Sequence, residues 1–137
     1  MFWIVLLFNL LGATNAVRLE ACDEECLTQK RVAFVSPTIS ECVCATGVDW
    51  TLVYRYLYDR DFFTDACFMC FVRCVQLKTY TAFPDGTLNV DSVLMTFPDA
   101  DRDALWECSL SVEHILDKCK RAYQMSICAL DVIFGHH

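Results

Sequence analysis

The chain has 137 residues, 55% of them hydrophobic, with 10 cysteines but only 4 glycines and 3 prolines, which excludes a disordered tail, a collagen-like repeat and a glycine-rich all-β scaffold. Eighteen acidic against 11 basic side chains leave a net charge of -7. That charge excludes a broad electrostatic grip on nucleic acid or anionic lipid.

The chain opens with an apolar run from Phe2 to Leu11, interrupted only by Asn9 and followed by Gly12-Ala13-Thr14-Asn15-Ala16. This reads as a secretory signal peptide over residues 1–16, with Thr14 and Ala16 as the small residues before the cut. The run is about half of the ~20 residues a membrane span requires, and no later segment escapes Lys, Arg, Asp or Glu long enough to insert in a bilayer. Residues 17–137 are therefore expected to form a single secreted, extracellular domain. All ten cysteines lie within it, in a compartment where disulfides persist, so five bridges and no free thiol are the default expectation.

The next elements read as helices. Residues Arg18 to Phe34 suggest a weak one. Pro37 near a first turn starts another through Cys42, which Gly47 ends. Trp50, Tyr54 and Tyr58 then fall four apart on one helical face, as an interface or as core. The central helix is expected from about Asp61 to Tyr80, where Phe63, Cys67, Cys70, Cys74 and Leu77 form one stripe, with Arg73 and Lys78 off it. Asn89 or Asp91 can cap a short helix ending near Phe97, and Asp99 or Asp101 one running through Trp106 and Val112. The last clear helix spans about Asp117 to Leu130, with Cys119, Ala122, Tyr123, Ile127 and Leu130 on one face. Strand alternation is nowhere sustained, so the fold class is all-α.

Helical geometry constrains the cysteines without assigning them. Cys119 and Cys128 would face opposite sides of one helix and must bond different partners. Cys70 and Cys74 share a face with parallel Cβ vectors, so each should reach another helix rather than its neighbour.

Sharper motifs fail on inspection. Cys67-Phe68-Met69-Cys70 has the spacing of a redox or zinc pair, and Cys42-Val43-Cys44 adds to it, but a secreted chain with an even cysteine count favours disulfides. Asp85-Gly86-Thr87-Leu88 imitates the middle of a calcium loop, yet the liganding positions would fall on Thr81, Phe83 and Ser92, which supply no carboxylate. It reads as a turn. His114 and Asp117 sit along one helix edge with no oxyanion or metal loop beside them, as a solvated surface pair. A small secreted phospholipase would need a His beside paired cysteines and a calcium loop, and neither is present. No catalytic residue, cofactor or metal is called for.

Several segments together carry a family resemblance: Cys42 followed by Ala45-Thr46-Gly47-Val48; Cys70-Phe71-Val72-Arg73-Cys74; Pro84-Asp85-Gly86-Thr87-Leu88-Asn89-Val90-Asp91; Cys108; and Asp117-Lys118-Cys119-Lys120-Arg121-Ala122-Tyr123-Gln124-Met125-Ser126-Ile127-Cys128. The stretch from Cys42 to Leu130 resembles the insect odorant-binding proteins, the pheromone and general odorant-binding family. Its specificity rests on the fixed spacings Cys70 to Cys74 and Cys119 to Cys128. The resemblance implies a bundle of about six helices around an apolar cavity, with bridges Cys42–Cys74, Cys70–Cys119 and Cys108–Cys128. Cys22, Cys26, Cys44 and Cys67 are extra to that pattern. Since Cys22 and Cys26 would lie one turn apart on a helix, they are expected to reach Cys44 and Cys67, in an order the sequence does not fix.

The implied function is non-covalent carriage of a small hydrophobic molecule, an odorant, pheromone or related lipophilic ligand. Outside residues 1–16 the chain keeps eight Phe, five Tyr and two Trp, a surplus of large apolar side chains that suggests a cavity wall. Candidates on predicted inward faces are Phe71, Val75, Leu94, Phe97 and Trp106, and further on Leu110, Ile115, Tyr123 and Ile127. After the last helix, Asp131-Val132-Ile133-Phe134 stays apolar up to Gly135, so Phe134 or Ile133 is expected to close one end of the site, with His136 and His137 outside. The alternative is a secreted interaction protein using the bundle surface, its partner a membrane receptor or another secreted protein.

Overall fold

The computed structural model describes residues 21–135; the signal-peptide reading of residues 1–16, the first residues of the weak helix and the two C-terminal histidines lie outside them. Six helices follow one another: α1 Glu24–Thr46, α2 Trp50–Asp59, α3 Ala66–Lys78, α4 Val90–Thr96, α5 Arg102–Ser111 and α6 Lys118–Phe134. Among the described residues the only β pairing is an isolated bridge between Ala82 and Leu88. Each helix begins on an Asp or Asn cap: Asp23, Asp49, Asp65, Asn89, Asp101 and Asp117 each accept a hydrogen bond from an amide of the first turn. Such a cap satisfies one of the four orphan amides at a helix start and is worth about 1 kcal/mol.

The first departure from the sequence expectation is α1. Two helices were expected, one to Phe34 and one starting at Pro37, but a single helix runs through Pro37. Proline there removes one intrahelical hydrogen bond and costs ~3 kcal/mol. What offsets it is burial along the inward face, where Val35, Ile39 and Cys42 are all buried, since each buried aliphatic side chain contributes about 1.5–3 kcal/mol. Pro37 itself is exposed, and the flanking hydroxyls fold back on the helix, Ser36 donating to the Val32 carbonyl and Thr38 to that of Val35. Gly47 ends the helix as expected, with φ 68° and its N–H donated to the Val43 carbonyl.

The central helix α3 starts later than expected, because Asp65 caps it by accepting from the Phe68 amide at 2.8 Å. Phe62 and Phe63 thus sit in the connection ahead of α3 but still pack edge-on, Phe62 on Tyr56 at 5.6 Å and Phe63 on Phe68 at 5.3 Å between ring centroids. At the other end of the chain α6 runs one turn further than expected, through the apolar tail to Phe134, before Gly135 closes it at φ 66°.

Packing and cross-links coincide. Helix α3 packs most extensively on α6 and also on α1, while α5 packs on α6. The same three pairs are bridged by Cys70–Cys119, Cys42–Cys74 and Cys108–Cys128, with Cα separations of 4.6, 5.6 and 5.6 Å. The three pairings implied by the resemblance are therefore all present. The two further bridges are not. Cys22 bonds Cys26, and Cys44 and Cys67 are free and exposed. The expectation failed on a helix boundary: Cys22 precedes the cap Asp23, so it is not on the helix with Cys26, and their Cα atoms approach to 5.3 Å, within disulfide reach.

The turn at Pro84 to Thr87 is as the sequence suggests. Asp85 accepts from both the amide and the hydroxyl of Thr87, which holds its carboxyl below the usual carboxylate range. Gly86 has φ 94°, and a Cβ there would stand 2.7 Å from Arg121 Nη1. Arg121 cannot easily yield, because it donates to the carbonyls of Ile115, Asp85 and Glu113.

Candidate functional site

The buried side chains form two apolar clusters. One gathers α1, α2, α3 and part of α6 around Val35, Tyr56, Phe68, Phe71 and Leu130. The other joins the Ala82–Phe97 stretch and α5 to Met125 and Ala129 of α6. Between them lies a cavity of about 80 Å³. Its wall comes from both sides: Val35, Tyr56 and Val75 from the first cluster, Val93, Phe97 and Met125 from the second. Ile133, which packs against both clusters, closes part of the wall from the last turn of α6.

The cavity is not purely apolar. Gln76, Thr79 and Thr81 line it too, and their polar atoms are partly engaged with the protein: Gln76 Nε2 donates to the Ala122 carbonyl at 2.9 Å, and the two threonine hydroxyls lie 3.0 Å apart. Arg31 is different. Its residue is only 3% exposed, its Nη1 donates to the Tyr56 and Leu57 carbonyls at 2.9 and 3.0 Å, and its guanidinium lies 4.2 Å from the Tyr56 ring centroid. Its buried Nη2 has no hydrogen-bond partner among the described residues.

Of the residues expected at the site, Val75 and Phe97 line the cavity. Phe71 and Tyr123 are buried beside it in an aromatic core, Phe71 against Tyr56 and Phe68, Tyr123 against Phe62 and Phe68. Leu94 and Ile115 are partly buried against the second cluster, and Ile127 against the first. Trp106 and Leu110 do not belong to the wall: they are 47% and 39% exposed. Helix α5 turns Leu105, Cys108 and Ser109 inward, and each step of one residue rotates a side chain by about 100°, which carries Trp106 and Leu110 out. In the tail it is Ile133 that reaches the cavity. Phe134 lies outside it under the Arg60 guanidinium, 3.8 Å from its ring centroid.

The lining residues that the sequence reading missed include Arg31, Val35, Tyr56, Val93, Met125 and Ala129. For Arg31 a signal existed, since it is four residues before Val35 on the stripe that continues to Ile39 and Cys42, but dividing the helix at Pro37 hid that register. A shallower surface recess between Ile115, Ile127 and Cys128 is also lined by His114, Lys120 and Gln124, and buries little of an apolar occupant. Among the described residues no group of His, Cys, Asp and Glu could hold a metal ion, and no helix is long and apolar enough to cross a membrane.

Comparison with known proteins places the chain by sequence. The PBP/GOBP family model matches residues 24–131, from the start of α1 into the last turn of α6. No curated protein and no solved structure matches the chain.

Proposed function

The chain belongs to the PBP/GOBP family, the insect odorant-binding proteins, and from that premise we propose that it is a secreted carrier that binds small hydrophobic molecules without chemical change, odorants, pheromones or related lipophiles in an extracellular fluid. The observation that carries this reading is the largely apolar cavity at the seam of the two clusters, bounded by Val75, Phe97 and Ile133. The family supports carriage rather than catalysis, and the disulfide-rich bundle supports an oxidising, extracellular setting.

At about 80 Å³ the cavity is smaller than the roughly 300–1,000 Å³ of typical ligand pockets. Carriage therefore requires a wall to give way. The wall with least restraint is the Leu88–Phe97 side, because the stretch between Cys74 and Cys108 holds no cysteine and α4 is only 7 residues long. Native mass spectrometry of the protein purified from its own secretion tests the reading, with a retained apolar ligand as the expected result. Uptake of an apolar fluorescent probe with a dissociation constant of about 1 μM is the companion expectation. Absence of both would refute carriage.

A second reading has one specific observation behind it. Trp50, Tyr54 and Tyr58 are 45%, 55% and 58% exposed on the outer face of α2, which is the surface a protein partner, a receptor or another secreted protein, would use. Loss of a co-purifying protein on Tyr54→Ala and Tyr58→Ala, with probe uptake absent in the parent, would favour it.

A further inference from the structure

The Arg31 side chain is the least economical feature of the molecule. A buried cation without a counter-ion is costly even after the protein relaxes. The ion pairs among the described residues are Arg55–Asp61, Arg60–Glu24, Lys78–Glu41 and Arg102–Asp91, and none involves Arg31. Partial compensation comes from Tyr56 and Leu57, whose carbonyls belong to the last turn of α2, the negative end of its dipole, and from the face of the Tyr56 ring. That accounts for Nη1. It leaves Nη2, with its two N–H donors, buried and without a partner on a residue that lines the cavity.

Resting on the carrier reading above, we propose that the ligand is an amphiphile with a carboxylate head, which Arg31 Nη2 receives, while its hydrocarbon tail lies along Val35, Val93, Phe97, Met125 and Ile133. A carboxylate supplies both the counter-charge and acceptors for the two free N–H groups, whereas an alcohol or ester supplies an acceptor without charge. Hydrogen bonds to a charged group are about twice as strong as neutral ones. The other polar residues of the wall, Gln76, Thr79 and Thr81, carry no charge and supply no counter-charge to a carboxylate.

The test is displacement of an apolar naphthylamine probe from the folded, disulfide-intact protein at neutral pH. The competitors are decanoic acid, decanol and methyl decanoate, which share one chain length. The acid is expected to displace the probe at roughly 10-fold to 100-fold lower concentration than the alcohol or the ester. Arg31→Met is expected to abolish that advantage, read as the ratio of acid to alcohol displacement within the variant, and Arg31→Lys to keep part of it. A purely structural Arg31, holding only the end of α2, would shift all three competitors alike. Equal displacement by acid and alcohol in the unaltered protein overturns the proposal and requires no variant to fold, as does an acid preference that survives Arg31→Met. Uptake of the probe without acid preference overturns this inference alone; no uptake of any of them overturns the carrier reading with it.

Discussion

Filling the cavity from its own wall should separate binding from stability. Ala129 is 7% exposed on α6, packs in the second cluster and lines the cavity, so Ala129→Leu adds three carbons into the cavity. Three buried carbons at about 0.8 kcal/mol each contribute ~2.4 kcal/mol, from which some overpacking strain of about 1–2 kcal/mol must be taken because the void's shape is fixed by Val93 and Met125. The net is a gain of about 0.4–1.4 kcal/mol, a rise in Tm of roughly 2–6 °C. Probe affinity should fall at least about 10-fold, since displacing one such side chain from the site forfeits ~1.5 kcal/mol or more. Calorimetry and probe titration on one preparation measure both. Ordinary core damage lowers both quantities, so their divergence is diagnostic. Undiminished uptake in a folded Ala129→Leu protein would place the ligand elsewhere and refute the assignment of the cavity.

Three further outcomes follow from particular contacts. Val75→Ala and Phe97→Ala should change probe affinity by about 10-fold or more, whereas Trp106→Ala and Leu110→Ala should leave it within about 2-fold; the reverse pattern in probe titrations would restore the outward residues to the site. Titration of the unreduced folded protein with a thiol reagent should label Cys44 and Cys67 only, and peptide mapping should recover Cys22 linked to Cys26; a thiol count of zero would mean that the fifth bridge forms. Gly86→Ala should destabilise by about 1–3 kcal/mol in denaturant unfolding, because the new Cβ meets Arg121 at φ 94°; an unchanged midpoint would show that Arg121 is free to move.

The helices were legible because their signals are local, and three of the bridges because the family resemblance implies them. Asn89, Asp101 and Asp117 each announce a helix start by side-chain chemistry, whereas the spacings Cys70 to Cys74 and Cys119 to Cys128 show only that the members of each pair bond different partners. What was not legible depended on tertiary burial overruling a local rule. Pro37 is a proper helix-start signal, and only the burial of Val35, Ile39 and Cys42 shows why the helix runs through it. The error at Cys22 came from placing one residue on the wrong side of a cap. Trp106 and Leu110 were assigned inward on hydrophobicity, while the true inward positions of α5 include Ser109, whose hydroxyl accepts from the Leu88 amide at 3.0 Å. A serine at a core position gives no hydrophobic signal, so the phase of that helix could not be read from its apolar residues alone.

The distribution of cross-links explains how a chain of this size can keep both a void and an unpaired buried cation. A disulfide stabilises by about 2–4 kcal/mol, mainly by restricting the unfolded chain, and here the bridges tie α1 to α3, α3 to α6 and α6 to α5. That continuous path holds the positions of Arg31, Val75, Met125 and Ile133 relative to one another, so the charged side and floor of the cavity are set before any ligand arrives. Helix α4 stands off the path and contributes Val93, with Leu88 and Phe97 just outside its ends. Expansion on that side costs apolar contacts and stretches the exposed Asp91–Arg102 ion pair, but breaks no covalent link. An apolar tail entering there restores the contacts it displaces. The rigid part of the wall is thus where a head group would be recognised, and the yielding part is where the volume of the tail would be accommodated.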